Sequence, residues 1–379
     1  QGLIALLKRR NDEALALADR VLEFAPSDEA GTILKARIMF IDGDASGAKA
    51  VIDDFESLRG PTAGTARTRL EIARSQNDAS AMNTAFLELR NLMPDDNDLK
   101  LDEANFRFKT GDADEGKSIV LQVLANEDAG PAQIEQGAEL LRSHRVAIDM
   151  QDAERASGFP AAARLALAAA MTDLDALEPA DRLLADLDDA RATGLNARVA
   201  LAKSDRAAAG RLSSQALRRD PDECQSLFVQ GELARQSGKA RLAIRNSQRA
   251  TAQCPELVAA WRTAALAYEA QDDPFNARRV FREGIAKNPQ KAESAAQYAN
   301  WLLTQGQKRP AIAAARSAAR AAPAREANWR VLADVCRRAG SGCANEAAKG
   351  LAEARRSYWI DLRPGELPPN GLFGRLTVR

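Results

Sequence analysis

Residues 261–289 read WRTAALAYEAQDDPFNARRVFREGIAKNP. Small and apolar residues recur every three or four positions on both sides of Asp272-Asp273-Pro274, the spacing of two amphipathic helices. The first helix is predicted over about residues 259–271 and the second over about 275–287. Pro274 suits the start of the second, because its missing N–H would have no partner in a first turn. Pro289 stops that helix and sets the angle into whatever follows. Small residues are expected where the helices cross, with Trp261, Tyr268 and Phe281 filling the gaps between crossings. The stretch has no His, no Cys and no glycine-rich loop, so its content is structural.

The same pattern is written again along the chain. Pro221, Pro255, Pro289 and Pro323 stand 34 residues apart. Ala209, Ala243, Ala277 and Ala311 each precede one of them by 12, and Ala216, Ala250, Gly284 and Ala318 by 5. Trp261 and Trp329 each follow a proline by 6. Nearer the N-terminus, Pro26 and Pro94 are 68 apart, as are the turn signals Gly43-Asp44 and Gly111-Asp112. One helical hairpin cannot bury its own apolar stripe, whereas stacked hairpins bury it jointly.

With Trp261, Ala265, Tyr268, Ala277, Phe281, Gly284 and Pro289 in these places, the unit resembles the tetratricopeptide repeat. That resemblance implies an all-α, right-handed α-solenoid of about ten helix pairs with a non-helical C-terminal tail. The expected segments are a partial unit at 1–28, degenerate units at 29–130, divergent pairs at 131–189, well-formed units at 190–359 and a tail at 360–379. Within 131–189 four helices are predicted, starting near Pro131, Ala147, Pro160 and Pro179. Gln1 falls seventh in its unit, so residues upstream or a second molecule are expected over the apolar stretch Gly2–Leu7. A charged helix at about 345–356 is expected to cap the array. The tail either folds back on the last helices or serves as an arm, its LFGRLTVR end adding a strand to a partner.

Composition agrees with closely packed helices: 45% of residues are hydrophobic but only 5% aromatic. The longest apolar run, Ala161–Met171, is too short to span a membrane and contains Arg164. Net charge is zero, yet residues 1–189 hold 36 acids and 21 bases while residues 190–379 hold 17 and 32. This is either drift in a solvated surface, a rear half that docks an anionic partner, or head-to-tail attraction between copies.

The four cysteines form no CxxC motif. In the repeat register Cys224 is first in its unit and Cys254 thirty-first, places that antiparallel helices set side by side. Cys336 and Cys343 face each other across one turn. Disulfides Cys224–Cys254 and Cys336–Cys343 are therefore expected, and with them an oxidising compartment. Four free thiols would instead indicate the cytoplasm.

No signature of an enzyme, nucleotide, metal or cofactor site occurs. His144 is the only histidine and is expected on the surface or in a groove. Asp and Asn within PDDNDL (94–99) are expected to cap a helix rather than bind calcium. Of the 53 basic residues 41 are arginine, but no aromatic-plus-basic pattern for nucleic acid accompanies them.

What the resemblance leaves is a concave groove lined by the first helix of each unit. Its places hold Arg191, Arg198, Phe228, Arg235, Arg262, Asn300, Arg330 and Arg337. The expected partners are proteins or peptides, with anionic peptides or acidic polysaccharide suited to the arginines and self-association as a further option. The expected role is a non-catalytic, cofactor-free scaffold outside the cytoplasm of a Gram-negative bacterium, in a secretion, pilus or surface-polymer apparatus. The alternative is a structural subunit that stacks head to tail into a fibre.

Overall fold

The computed structural model describes residues 11–289 and 291–356, and among these it has 21 α-helices and no strand. The expected N-terminal apolar stretch and the tail from 357 onward lie outside the described residues. After the single helix α1 (Asn11–Phe24) come ten pairs. They are α2 (Glu29–Ile41) with α3 (Ala45–Arg59), α4 (Ala63–Ser75) with α5 (Ala79–Leu92), and α6 (Asn97–Thr110) with α7 (Ala113–Ala125). Then follow α8 (Pro131–His144) with α9 (Met150–Ala156), and α10 (Ala161–Asp173) with α11 (Leu177–Leu184). Next are α12 (Ala190–Ala202) with α13 (Arg206–Arg219), α14 (Cys224–Gln236) with α15 (Ala240–Gln253), and α16 (Val258–Glu269) with α17 (Pro274–Lys287). The last are α18 (Ala292–Thr304) with α19 (Lys308–Ala321), and α20 (Glu326–Ala339) with α21 (Ala344–Arg356).

The turn inside each pair keeps the phase. It contains one residue in the left-handed region: Gly43, Asn77, Gly111 and Arg145 at 34-residue intervals, then Asp175, then Ser204, Gly238, Asp272, Gly306 and Gly340 at 34-residue intervals again. The two intervals flanking Asp175 are 30 and 29 residues, about one helical turn short of the period. The shortfall is taken by α9 and α11, only 7 and 8 residues long against 13 to 15 for the other second helices. The weak periodicity of 131–189 is thus a loss of helix length, with the hairpin plan kept. Five of these ten turns carry a polar non-glycine residue, of which Asn77, Asp175 and Asp272 are types that tolerate this backbone, and Arg145 is the least expected of the ten.

Aspartates start many of the helices. Asp28, Asp44, Asp78 and Asp96 accept from backbone N–H groups of Gly31, Gly47, Ala81 and Leu99 at 2.6, 2.8, 3.0 and 3.0 Å. Each satisfies a first-turn donor that has no partner within the helix. The PDDNDL motif is therefore a cap, made by Asp96.

The chain divides into two compact units, one with described residues 11–103 and 356 and the other Ala104–Arg355; the first division falls inside α6. In the first unit Ala36, Ala48, Ile52 and Ile72 form a core with Met39, Phe40 and Val51 at its edge. In the second, the in-register alanines 209, 243, 277 and 311 are fully buried at the helix crossings. Near the C-terminal end, Phe281, Tyr298 and Trp301 pack with ring centroids 5.4 to 6.1 Å apart. Consecutive first helices of this unit touch one another, with the second helices on the other side.

Candidate binding face

The periodic tryptophans and prolines are partners. Proline gives up an N–H but keeps a carbonyl that needs a donor. The Trp261 indole donates to the Pro255 carbonyl at 2.8 Å, and Trp329 does the same to Pro323 at 2.9 Å. Asn288 Nδ2 reaches the Pro255 carbonyl as well, at 2.8 Å, from the end of the next second helix. These bonds fix each loop to the pair that follows it and so orient the first-helix face.

Both expected cysteine pairs stand at disulfide distance. Cys224 opens α14 and Cys254 closes α15, with Cα atoms 6.0 Å apart; Cys336 and Cys343 are 5.6 Å apart across the α20–α21 turn. No described cysteine is free. Each link closes one hairpin of the second unit.

The residues expected to line the groove fall into three groups. Phe228 is a correction: it is buried, packed with Leu227, Val229, Ala197 and Ala260, because its place on α14 points into the seam with the neighbouring pair. Arg198 is nine-tenths buried and bonds Asp173, so its charge is already spent within the fold. Arg235, Arg330 and Arg337 pair with Glu232, Glu326 and Asp334 one turn away, and Asn300 accepts from Arg338. Arg191 and Arg262 are exposed and have no ion pair or side-chain hydrogen bond among the described residues.

A ladder of charge runs across consecutive first helices of the second unit. Glu139 and Arg142 of α8 bond each other; Arg142 also bonds Asp173 of α10 at 3.0 Å, and Asp173 bonds Arg198 of α12. Burial would raise the Asp173 carboxyl, but Arg198 and Arg142 together hold it below the usual range. Further along, Thr263 of α16 donates to Glu232 of α14 at 2.9 Å, and Gln305 donates to Glu269 of α16. The Arg142–Asp173 and Arg198–Asp173 ion pairs, largely removed from water on the arginine side, fix register between neighbours more than they stabilise, since desolvation offsets most of their attraction.

The second unit curls until α6 and α8 reach the loop before its last pair. Lys109 of α6 donates to the Ala324 carbonyl at 3.1 Å, and Arg325 lies 3.8 Å from Glu139. Beside this closure His144 stacks on Phe108 at 4.9 Å and donates from Nε2 to Asn105 Oδ1 at 3.1 Å. Burial, then Lys109, Arg325 and Arg330, push its pKa down to about 4, so the ring is neutral. His144 is therefore a partly buried, neutral ring held within the fold by Asn105 and Phe108. The Glu139–Arg142–Asp173 node escaped sequence reading because its members sit in the two shortened pairs, where the register gives no place numbers.

Among the described residues no group of His, Cys, Asp and Glu stands where it could hold a metal, and no helix is long and apolar enough to cross a membrane.

No family model and no curated protein matches the sequence. Solved structures do resemble it. A Naa15/Naa10 complex bound to HypK-THB aligns at 13% identity over 93% of this chain and 66% of that one, with a TM-score of 0.35. Yeast Tom70 aligns at 12% over 93% of this chain and 82% of its own, with a TM-score of 0.41. The Cut9–Hcn1 hetero-tetramer of APC/C aligns at 15% over 93% and 71%, with a TM-score of 0.40. Identities this low transfer no function. On its own period, turns and crossings, the chain is an array of tetratricopeptide-like helix pairs.

Proposed function

We propose that this protein is a non-catalytic scaffold that holds acidic protein or peptide segments on the first-helix face of its second unit, outside the cytoplasm. The carrying observation is the contrast on that face. Its other arginines are bonded within the fold, while exposed Arg191 and Arg262 keep their guanidinium donors for a carboxylate. The two cysteine pairs support an oxidising compartment, and the Gram-negative envelope is the setting that fits them. Titration with labelled poly-glutamate tests the face. Arg191→Ala with Arg262→Ala is expected to weaken binding several-fold, and an unchanged affinity would remove this reading. Non-reducing mass spectrometry of protein taken directly from cells tests the compartment: four free thiols would return the protein to the cytoplasm.

Self-association is a second reading, favoured by one feature of the first unit. Phe24, Leu58 and Leu92 lie in the last turns of α1, α3 and α5 at 34-residue spacing and are 87%, 67% and 40% exposed. A repeated apolar row of this kind suits a protein surface. With the opposed charges of the two halves, it points to contact between copies. Light scattering at low and high salt decides: monomers under both conditions would dismiss the fibre.

A further inference from the structure

The basic character of the second half sits on one set of helices. The second helices α13, α15, α17 and α19 together hold 15 Lys and Arg residues and a single acid, Glu283. The first helices beside them, α12, α14, α16 and α18, hold four bases and three acids. The charge excess therefore lies on the face opposite the groove.

Part of that excess is neutralised locally, as in Arg219 with Asp188 at 2.6 Å and Arg249 with Asp222 at 2.9 Å. Arg206, Arg211 and Arg218 of α13 and Arg241 and Arg245 of α15 are exposed and have no ion pair or side-chain hydrogen bond among the described residues. The three on α13 rim a shallow depression of about 800 Å³ whose floor includes Ala207, Gly210 and Ser214. Arg206 and Arg218 are twelve residues apart, so the rim runs about 18 Å along the helix axis. Arg211 and Arg245 stand 34 residues apart, so the charge recurs at the same place in the next pair.

Like charges left unpaired beside one another repel, and the fold gains nothing from them. An anion laid along them would relieve that repulsion. Between the arginines the lining is Ala207, Gly210, Ser214, Gln215 and a single aliphatic side chain, Leu212, with no aromatic anchor of the kind that dominates protein interfaces. No aromatic ring lines it for a nucleobase to stack on. A hydrated, extended chain with regularly spaced carboxylates meets both conditions, and forked guanidinium groups suit carboxylates. We propose that the outer face of α13 and α15 binds a linear acidic polysaccharide. This goes beyond the groove reading above, since it concerns a different face and a different class of ligand.

Polygalacturonate titrated against the full chain is the test. Binding is expected at low salt and should weaken linearly on a log–log plot as salt rises, because bound counterions are released. Arg206→Gln, Arg211→Gln and Arg218→Gln combined should lower affinity by about tenfold, each exposed contact being small by itself. Glutamine keeps the helix propensity, and far-UV circular dichroism checks the fold. Arg211→Glu alone gives a second, milder reversal in the same direction. The Arg191→Ala, Arg262→Ala variant should bind polygalacturonate like the wild type, so failure of the groove reading and failure of this one are distinguishable. No binding at low salt, full binding by the triple variant, or tighter binding of a short DNA duplex or of poly-glutamate to this face would each overturn the proposal.

Discussion

Gly350 lies beneath the ring of Trp329, where a Cβ would sit 2.3 to 2.4 Å from three ring carbons. The indole cannot retreat without losing its bond to the Pro323 carbonyl. Gly350→Ala is therefore expected to destabilise the last hairpins by roughly 1–3 kcal/mol, the usual range for overpacking, as read by urea denaturation. A different strain sits at Glu71 in the first unit. Burial pushes its pKa up from 4.5 to about 7 despite Arg37 and Arg74 nearby. The folded carboxyl binds a proton that the unfolded one releases, so its contribution is full below about pH 4.5 and is lost as pH rises through about 7. Denaturation between pH 5 and pH 8 should show a flatter stability curve for Glu71→Gln than for the wild type. At this scale the sequence was readable where a residue recurs at a fixed place. The paired tryptophans and prolines were visible as spacing, and the bond joining them explains it. Phe228 was misplaced because a place number does not say how far a neighbouring pair covers it.

Helices were the most legible level. Those predicted at 259–271 and 275–287 are found at Val258–Glu269 and Pro274–Lys287. Even in the weak region, starts predicted near Pro131, Ala147, Pro160 and Pro179 are found at Pro131, Met150, Ala161 and Leu177. Register could not be carried through, because α9 and α11 are about two turns shorter than the other second helices and the left-handed residues Arg145 and Asp175 look like neither glycine nor a turn signal. The hairpin staples make a prediction at this level. Cys224–Cys254 links residues 30 apart, and Cys336–Cys343 residues 7 apart. Loop-closure entropy makes the first worth about 3–4 kcal/mol and the second about 2 kcal/mol. Reduction should therefore lower the melting temperature, with most of the loss reproduced by Cys224→Ser with Cys254→Ser.

At the scale of a whole unit, nothing in the residue order marks Ala324 and Arg325 as partners of Lys109 and Glu139, since curvature accumulates from small rotations at every crossing. His144 reports on this meeting, and it is the sole histidine, so one proton resonance follows it. Its folded pKa of about 4 is below the ordinary 6.5. Its contribution to stability is full above about pH 6.5 and is lost as pH falls through about 4. Arg325→Ala removes one of the cations that depress it, so the titration midpoint should rise; an unmoved midpoint would mean that the curl is open in solution. The run of equal intervals on either side of Asp175 has another outcome. A chain of interchangeable hairpins can slide by one whole unit during folding, or trade a unit with a sister molecule, at little energetic cost. The clipped helices α9 and α11 are about half the length of every other second helix, so a slide by one unit would set a short helix where a long one belongs and leave a gap, and the pair acts as an index mark for the alignment.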